Sequence, residues 1–274
     1  MNKTTLVRLM RKDQRDRRHL LRGAAAVAGS TLLAGCDALS ANPQFVSLLK
    51  SAEHLSQAAQ KVVAPRLAMA QEFDARDIAP VFRSNGTLDP EDADYVALRK
   101  SGFVAYKLAV TGLVRNPAAH TLSQLRAMPS RTQITRHDCV EGWSCIGKWT
   151  GVPLAALLQA AQPLPQARYV VLRCFDSMDG PTLDGGGGSR DSRYYESIDL
   201  DDANHPQTLL AYDLNDRPLP VSNGAPLRLR VERQLGYKHA KYLAGIELVE
   251  SLAGIRGGKG GYWEDEGYEW YAGI

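Results

Sequence analysis

The sequence predicts an α+β fold: a mixed, β-rich, single domain. Beyond the first seventy residues, apolar runs of strand length alternate with turns rich in Gly, Pro, Asn and Asp. Helical periodicity there lasts only two or three turns at a time, so a doubly wound sheet with long crossover helices is not expected. The chain has 274 residues, 44% hydrophobic and 23% charged. That suffices for a proper core and excludes a disordered, collagen-like or disulfide-dense chain.

Residues 1–22 hold eight Lys and Arg against Asp13 and Asp16, leaving 25 Lys and Arg against 28 Asp and Glu elsewhere. The net charge of +3 therefore belongs to the N-terminus, which argues against nucleic acid as a partner. Arg17 and Arg18 precede an uncharged run of small and apolar residues, 23–35, too short to span a bilayer comfortably. The paired arginines resemble a twin-arginine export signal, although Asp16 stands where Ser or Thr is usual. Leu33-Ala34-Gly35-Cys36 resembles a lipoprotein box with Cys36 as the lipidated residue. Residues 1–35 thus read as an export leader, placing the protein in the periplasm, anchored to the inner membrane through Cys36. Twin-arginine export carries folded proteins, which points to a cofactor inserted beforehand.

Residues 36–72 read as a linker and helical arm, with Phe45, Leu48, Leu49, Ala52, Leu55, Ala59 and Val62 at helical spacing before Pro65. Residues 73–274 read as the domain. The spacing predicts a strand over 103–110 with a turn from Gly112, and a short helix over 121–128 capped by Thr121 and stopped by Pro129. A helix is expected over 154–161 and a buried strand over 168–174. Leu227, Leu229 and Val231 alternate with Arg228, Arg230 and Glu232, which predicts a strand with the charges on its solvent face. The glycine runs at 185–188 and 257–261 join no strand to a helix and read as loops rather than phosphate cradles.

Four cysteines occur: Cys36, Cys139, Cys145 and Cys174. There is no CxxC pair, no CxxCH haem site and no HExxH zinc motif. Cys139 has Arg136 and His137 beside it in sequence, and cations lower a thiol's pKa toward the thiolate that redox metals prefer. On spacing alone, a buried structural cysteine remains the commoner alternative.

Asp138-Cys139-Val140-Glu141-Gly142-Trp143-Ser144, followed by Trp149-Thr150-Gly151-Val152-Pro153-Leu154, resembles the molybdenum-binding segment of the sulfite-oxidase family, nearest to its exported bacterial members. Phe82-Arg83-Ser84-Asn85-Gly86-Thr87 resembles the family's early pterin-contacting turn. Tyr195-Glu196-Ser197-Ile198, Asn223-Gly224-Ala225-Pro226-Leu227-Arg228 and Gly236-Tyr237-Lys238-His239-Ala240-Lys241 resemble its later blocks in the same order. The resemblance covers roughly residues 80–250. It implies a sulfite-oxidase-like molybdopterin-binding fold and a molybdenum-molybdopterin cofactor. Cys139 would supply the metal's protein thiolate. Arg83, Ser84, Asn85, Cys174, Asn223, Arg228, Tyr237, Lys238, His239, Ala240 and Lys241 would contact the cofactor, with Arg228, Lys238, His239 and Lys241 bringing charge to its phosphate. Arg230 stays an ordinary strand charge.

One departure concerns the substrate. Sulfite-oxidising members carry an arginine five positions after the metal cysteine, where this chain has Ser144, leaving Arg83 as the remaining clamp. The resemblance therefore implies two-electron oxygen-atom transfer, first as reduction of an S- or N-oxide, with sulfite or another small oxyanion as the alternative substrate. Electrons would come from a separate cytochrome or quinone-linked membrane subunit. A non-catalytic pterin-binding lipoprotein, or a binding module with a Cys145–Cys174 disulfide, is the alternative of another class. The aromatic, acidic stretch 261–271 is expected to send Tyr262 or Trp263 toward the active-site funnel.

Overall fold

The computed structural model describes residues 68–178 and 192–274, and before them 42–46, 48, 51, 55 and 59. The leader, Cys36 and the glycine run 185–188 lie outside the described residues. The chain divides into Met1–Val63 and Ala64–Ile274. In the first unit, positions 43–46, 48, 51, 55 and 59 are helical, as the apolar spacing predicts. The sheets and the cavity belong to the second.

Two five-stranded sheets build it. The first runs β2-β1-β10-β5-β6, from Ala118–Thr121, Lys107–Gly112, Leu243–Val249, Tyr169–Ser177 and Arg193–Asp199. All its neighbours are antiparallel except β1 and β10, which run parallel. The second runs β3-β4-β7-β8, from Arg131–Cys139, Trp143–Pro153, Leu209–Leu214 and Arg217–Pro218, with β9 (Arg228–Arg230) also paired to β7. Helices are short: α1 (Ala93–Lys100), α2 (Leu122–Ala127), α3 (Leu154–Ala161), α4 (Leu200–Ala203) and α5 (Tyr262–Asp265). The architecture is the α+β, β-rich one expected.

Local chemistry sets the helix ends. Thr121 accepts from the Gln124 N–H while Gln124 reaches back to the Thr121 N–H, a reciprocal cap worth about 1 kcal/mol. Helix α3 buries Leu154, Leu157, Leu158 and Ala161, the i, i+3, i+4, i+7 face. The strand expected over 103–110 starts later, at Lys107. Gly102 and Phe103 both take left-handed backbone (φ 64° and 61°), so that stretch is the turn out of α1.

The larger correction lies at 227–232. The alternation is real, but there is no solvent face: Arg228, Arg230 and Glu232 are all nearly inaccessible. Trp149, wholly buried, receives the guanidinium of Arg230 over its ring at 4.4 Å and that of Arg228 at 5.1 Å, with Phe82 edge-on at 4.9 Å. Cation–π contact with an indole replaces the water those charges would otherwise need. Cys145 packs in this cluster and Cys174 in the main core, and both are free thiols, so the disulfide alternative fails.

Trp149→Ala is expected to lower the unfolding free energy by about 3–5 kcal/mol, since it leaves a cavity and strips two buried cations of their ring. Urea titration of the purified protein measures it; a loss below about 1 kcal/mol would contradict that role for the ring.

Candidate active site

Strand β3 alternates, and its inward residues Gln133, Thr135, His137 and Cys139 are all buried. Cys139 ends the strand, and Gly142 (φ 83°) closes the hairpin to Trp143 on β4. This places the thiol on a cavity of about 220 Å³. A water's share of liquid volume is about 30 Å³, so the space suits a ligand rather than one ordered solvent molecule. Its wall comes from five places: the turn Asn85 to Thr87, the hairpin tip at Cys139, the paired stretch of Asp176, Met178 and Tyr194, the segment from Gly236 to Lys241, and Trp263 with Tyr268.

The electrostatics around Cys139 differ from those read off its sequence neighbours. Arg136 points outward into a 2.9 Å ion pair with Asp138. His137 is buried and accepts at Nδ1 from Arg230 at 3.0 Å. A guanidinium cannot accept, so the imidazole proton sits on Nε2. Burial, then Arg230 and Arg228, hold this ring well below the usual histidine range, so it is neutral. Burial pushes the Cys139 thiol upward, and the Glu141 carboxylate adds to that; backbone N–H groups and Arg83 pull the other way without prevailing. Arg83 itself stacks over Trp143 at 4.9 Å.

Five expected cofactor residues meet at the cavity: Asn85, Cys139, Tyr237, His239 and Lys241. Lys241 donates to the carbonyls of Asn85 (2.6 Å), Thr87 (2.5 Å) and Ser222 (3.1 Å), tying the early turn to the late segment. Burial and Arg228 pull its pKa down to about 7. Asp176 faces the same space with its pKa raised by burial to about 6, and its Oδ1 has no partner among the described residues.

Two further expectations change. His239 is not a cation: its Nε2–H donates to the Gln234 carbonyl at 3.0 Å, and burial keeps the ring neutral. Lys238 carries charge, but not to the cavity. Burial opposes that charge, yet Glu196 and Glu264 outweigh it and hold the pKa above normal; Nζ bonds to both, at 2.6 Å to Glu264. Behind the wall, Arg228 donates to the carbonyls of Asn223 (2.9 Å) and His239 (3.2 Å). Ala240 is buried and its carbonyl accepts from Leu229. Arg83 and Ser84 belong to the early turn without lining the cavity, and Cys174 sits in the core. Nor is Arg230 an ordinary strand charge: it is fully buried against Glu232.

Sequence reasoning missed Asp176 and Tyr194, which reach the cavity from β5 and β6, and Met178 and Tyr268. Nothing local marks the first two, which come together only through strand pairing.

Residues 96–253 match the oxidoreductase molybdopterin binding domain, and the chain belongs to that family. It is an oxidoreductase whose cofactor is molybdenum held by molybdopterin. The putative protein-methionine-sulfoxide reductase subunit YedZ1 of Azospira oryzae is 34% identical over 261 residues, covering 94% of this chain and 87% of that protein. The protein-methionine-sulfoxide reductase catalytic subunit MsrP of Xanthomonas campestris pv. campestris is 37% identical over 150 residues, 54% of this chain and 46% of that one. The match thus spans about half the length of that MsrP. Among solved structures, the sulfane dehydrogenase SoxCD from Paracoccus pantotrophus aligns with a TM-score of 0.46 at 18% identity, covering 66% of this chain and 50% of that one.

The residues fit such a cofactor. Arg228 Nε and Asn223 Nδ2 are buried donors without partners among the described residues, an arrangement that costs about 1–3 kcal/mol per group unless a ligand accepts from them. No group of three His, Cys, Asp or Glu among the described residues could hold a metal ion. A metal at the lone thiol of Cys139 therefore needs ligands from elsewhere, which a pterin dithiolene provides.

Arg230→Met should destabilise the protein by about 3–5 kcal/mol, because it leaves Glu232 buried without its charge partner. Adding Glu232→Leu should recover most of that loss in the same denaturation assay. Stability of the cofactor-free chain should also dip near neutral pH. The raised Asp176 contributes stability that is present below its unfolded pKa near 4 and lost as pH rises through 6. The depressed Lys241 contributes stability present above its unfolded pKa near 10.5 and lost as pH falls through 7. In Asp176→Asn the decline between pH 4 and 6 should be smaller than in wild type; equal urea midpoint profiles would refute it.

Proposed function

We propose that this chain is the catalytic component of an exported molybdenum enzyme that reduces an S- or N-oxide. For an S-oxide, the overall conversion consumes two electrons and two protons, breaks the S–O bond, and yields the sulfide and one water. The electrons arrive one at a time from a separate carrier. When bound, the cofactor supplies the two-electron oxygen-atom chemistry. The chain's part is to hold and shield it. Cys139 would give the metal its thiolate, and since burial favours the protonated thiol, metal binding must release that proton. Asn223, Arg228 and Lys241 would take the cofactor's phosphate and pterin edge, because they carry the unmatched donors and the charge. Asn85, Tyr237 and His239 would complete the wall.

The observation that carries the choice of substrate is Ser144. Its hydroxyl bonds to Asp138 Oδ1 on the exposed side of the hairpin, so that position offers no clamp for an oxyanion. The cavity's charged side chains are Glu141, Asp176 and Lys241, which favours a neutral oxide over sulfite. The names of the Azospira and Xanthomonas relatives support the same direction. Arg83, close enough to influence the thiol, is what a small-oxyanion dehydrogenase would use instead.

The leader supports periplasmic placement after twin-arginine export, and Cys36 supports a lipid anchor to the inner membrane. Residues 36–72 would then be the tether between anchor and the domain 73–274. No helix among the described residues is long and apolar enough to cross a membrane. The electron donor would be a cytochrome or a quinone-linked membrane subunit.

Protein matured with its own leader is expected to contain about one molybdenum per chain and, with a reduced viologen as donor, to reduce sulfoxides or N-oxides but not to oxidise sulfite. Folded protein free of molybdenum would favour the non-catalytic binding lipoprotein, and sulfite turnover alone would favour Arg83 as a clamp. Cys139→Ser should abolish turnover. Cys36→Ser should move the protein from the membrane fraction to the soluble periplasm; unchanged fractionation would remove the anchor.

A further inference from the structure

Residues 261–274 build one wall of the cavity in a way that the cofactor motifs do not require. Trp263 and Tyr268 both face the cavity, with their rings stacked at 5.3 Å and 28°. Tyr237, from the opposite segment of the wall, meets Tyr268 edge-on at 5.3 Å. Tyr262 does not line the space; it braces Trp263 edge-on from behind.

The stack is a local product of the sequence Trp263-Glu264-Asp265-Glu266-Gly267-Tyr268. Helix α5 stops after Asp265, and Gly267 takes φ 109°, a region that strains residues with a Cβ. The turn lets the Gly267 N–H donate to the Glu264 carbonyl (3.1 Å) and the Tyr268 N–H to the Trp263 carbonyl (2.9 Å). Tyr268 is thereby folded back onto Trp263.

The segment is also held rigidly. Glu264 is buried against Lys238, the Tyr237 hydroxyl donates to the Glu269 carbonyl (2.7 Å), and Trp270 donates to Ser197 (2.8 Å). Trp270 itself meets Tyr169 edge-on, off the cavity. The rings are therefore a fixed surface, and Tyr268, 41% exposed, carries it to the mouth.

We infer that Trp263 and Tyr268 determine specificity, by holding the flat apolar substituent of an S-oxide while its sulfinyl group faces the Cys139 side of the cavity. This rests on the reading of the site as an oxide reductase. A ring face offers broad dispersion contact and favours offset or edge-on aromatic partners. Met178 and Val140, elsewhere on the cavity wall, add polarizable and apolar surface. Dimethyl sulfoxide has only methyl groups to offer the rings. An aryl sulfoxide presents a flat face to them.

The test compares dimethyl sulfoxide with methyl phenyl sulfoxide, using the cofactor-loaded full chain and reduced viologen as the two-electron supply. Wild type should prefer the aryl substrate by roughly tenfold or more in kcat/KM. Trp263→Ala and Tyr268→Ala should each lose most of that preference through a raised KM for the aryl substrate. Trp263→Phe, which keeps a flat ring, should retain much of it. Glu266→Gln, altered in the same segment but exposed and off the cavity, should keep the full preference. The inference is overturned if wild type reduces both substrates without preference, if the alanine variants keep the preference, or if Glu266→Gln loses it as Trp263→Ala does. Reduction of neither substrate by molybdenum-loaded wild type overturns the oxide-reductase reading, and the inference with it.

Discussion

Burial of positive charge is the constraint on which the rest of this structure depends. Besides Arg233, which stands beside Asp202, the chain carries between positions 228 and 241 four cations with little or no solvent contact: Arg228, Arg230, Lys238 and Lys241. Removing an ion from water costs several kcal/mol even after relaxation, so each needs a compensating group. Two have carboxylates in contact: Arg230 pairs with Glu232, and Lys238 with Glu196 and Glu264. The other two are met chiefly by carbonyl oxygens. Arg228 sits low for a guanidinium, at about 9, through burial and the nearby Arg230, and Lys241 falls to about 7. The incompletely compensated pair lies at and behind the cavity, where an anionic ligand would complete the balance.

The compensated pair has a structural task. Arg230 and its partner Glu232 fix His137, Gln133 and the Trp149 ring, and so hold β3 and Cys139 at its end. Lys238 fastens α5 to β6 through Glu264 and Glu196, and so sets where the aromatic rings stand. Two buried ion pairs therefore position the two sides of one site. Hydrophobic residues could fill the same volume, but they would lack the directional bonds that fix where each strand and ring sits.

Interactions within a few residues were legible in the sequence. The Thr121–Gln124 cap and the apolar face of α3 need only local spacing, and both helices form where that spacing puts them. The ordered motifs from Arg83 to Lys241 also contain five residues that meet at one cavity, Asn85, Cys139, Tyr237, His239 and Lys241, and each motif is a contiguous string. What the sequence concealed was direction. Alternation at 227–232 reveals a period of two but not whether the second face meets water or a tryptophan. In a strand, the residues beside Cys139 need not share its surroundings: Asp138 points out to meet Arg136, and His137, though buried, is neutral. Asp176 and Tyr194 line the cavity from the first sheet while Cys139 ends a strand of the second, so only the packing of the two sheets brings them to one space, which no local pattern records.

The raised thiol of Cys139 would be no handicap in the proposed metal ligand; the physics runs the other way. A cysteine destined to attack substrate must be a thiolate in the bare protein, so its surroundings must be cationic. Here burial and Glu141 keep the sulfur protonated, and the nearest histidines are held neutral. Such a thiol resists oxidation and exchange while the site is empty, because the thiolate is the reactive form. A bound metal reverses the balance, since its own charge exceeds any side chain's and displaces the proton. On the proposed reading, the site would leave activation of the sulfur to its ligand, while Arg228 and Lys241 would meet the ligand's anionic parts.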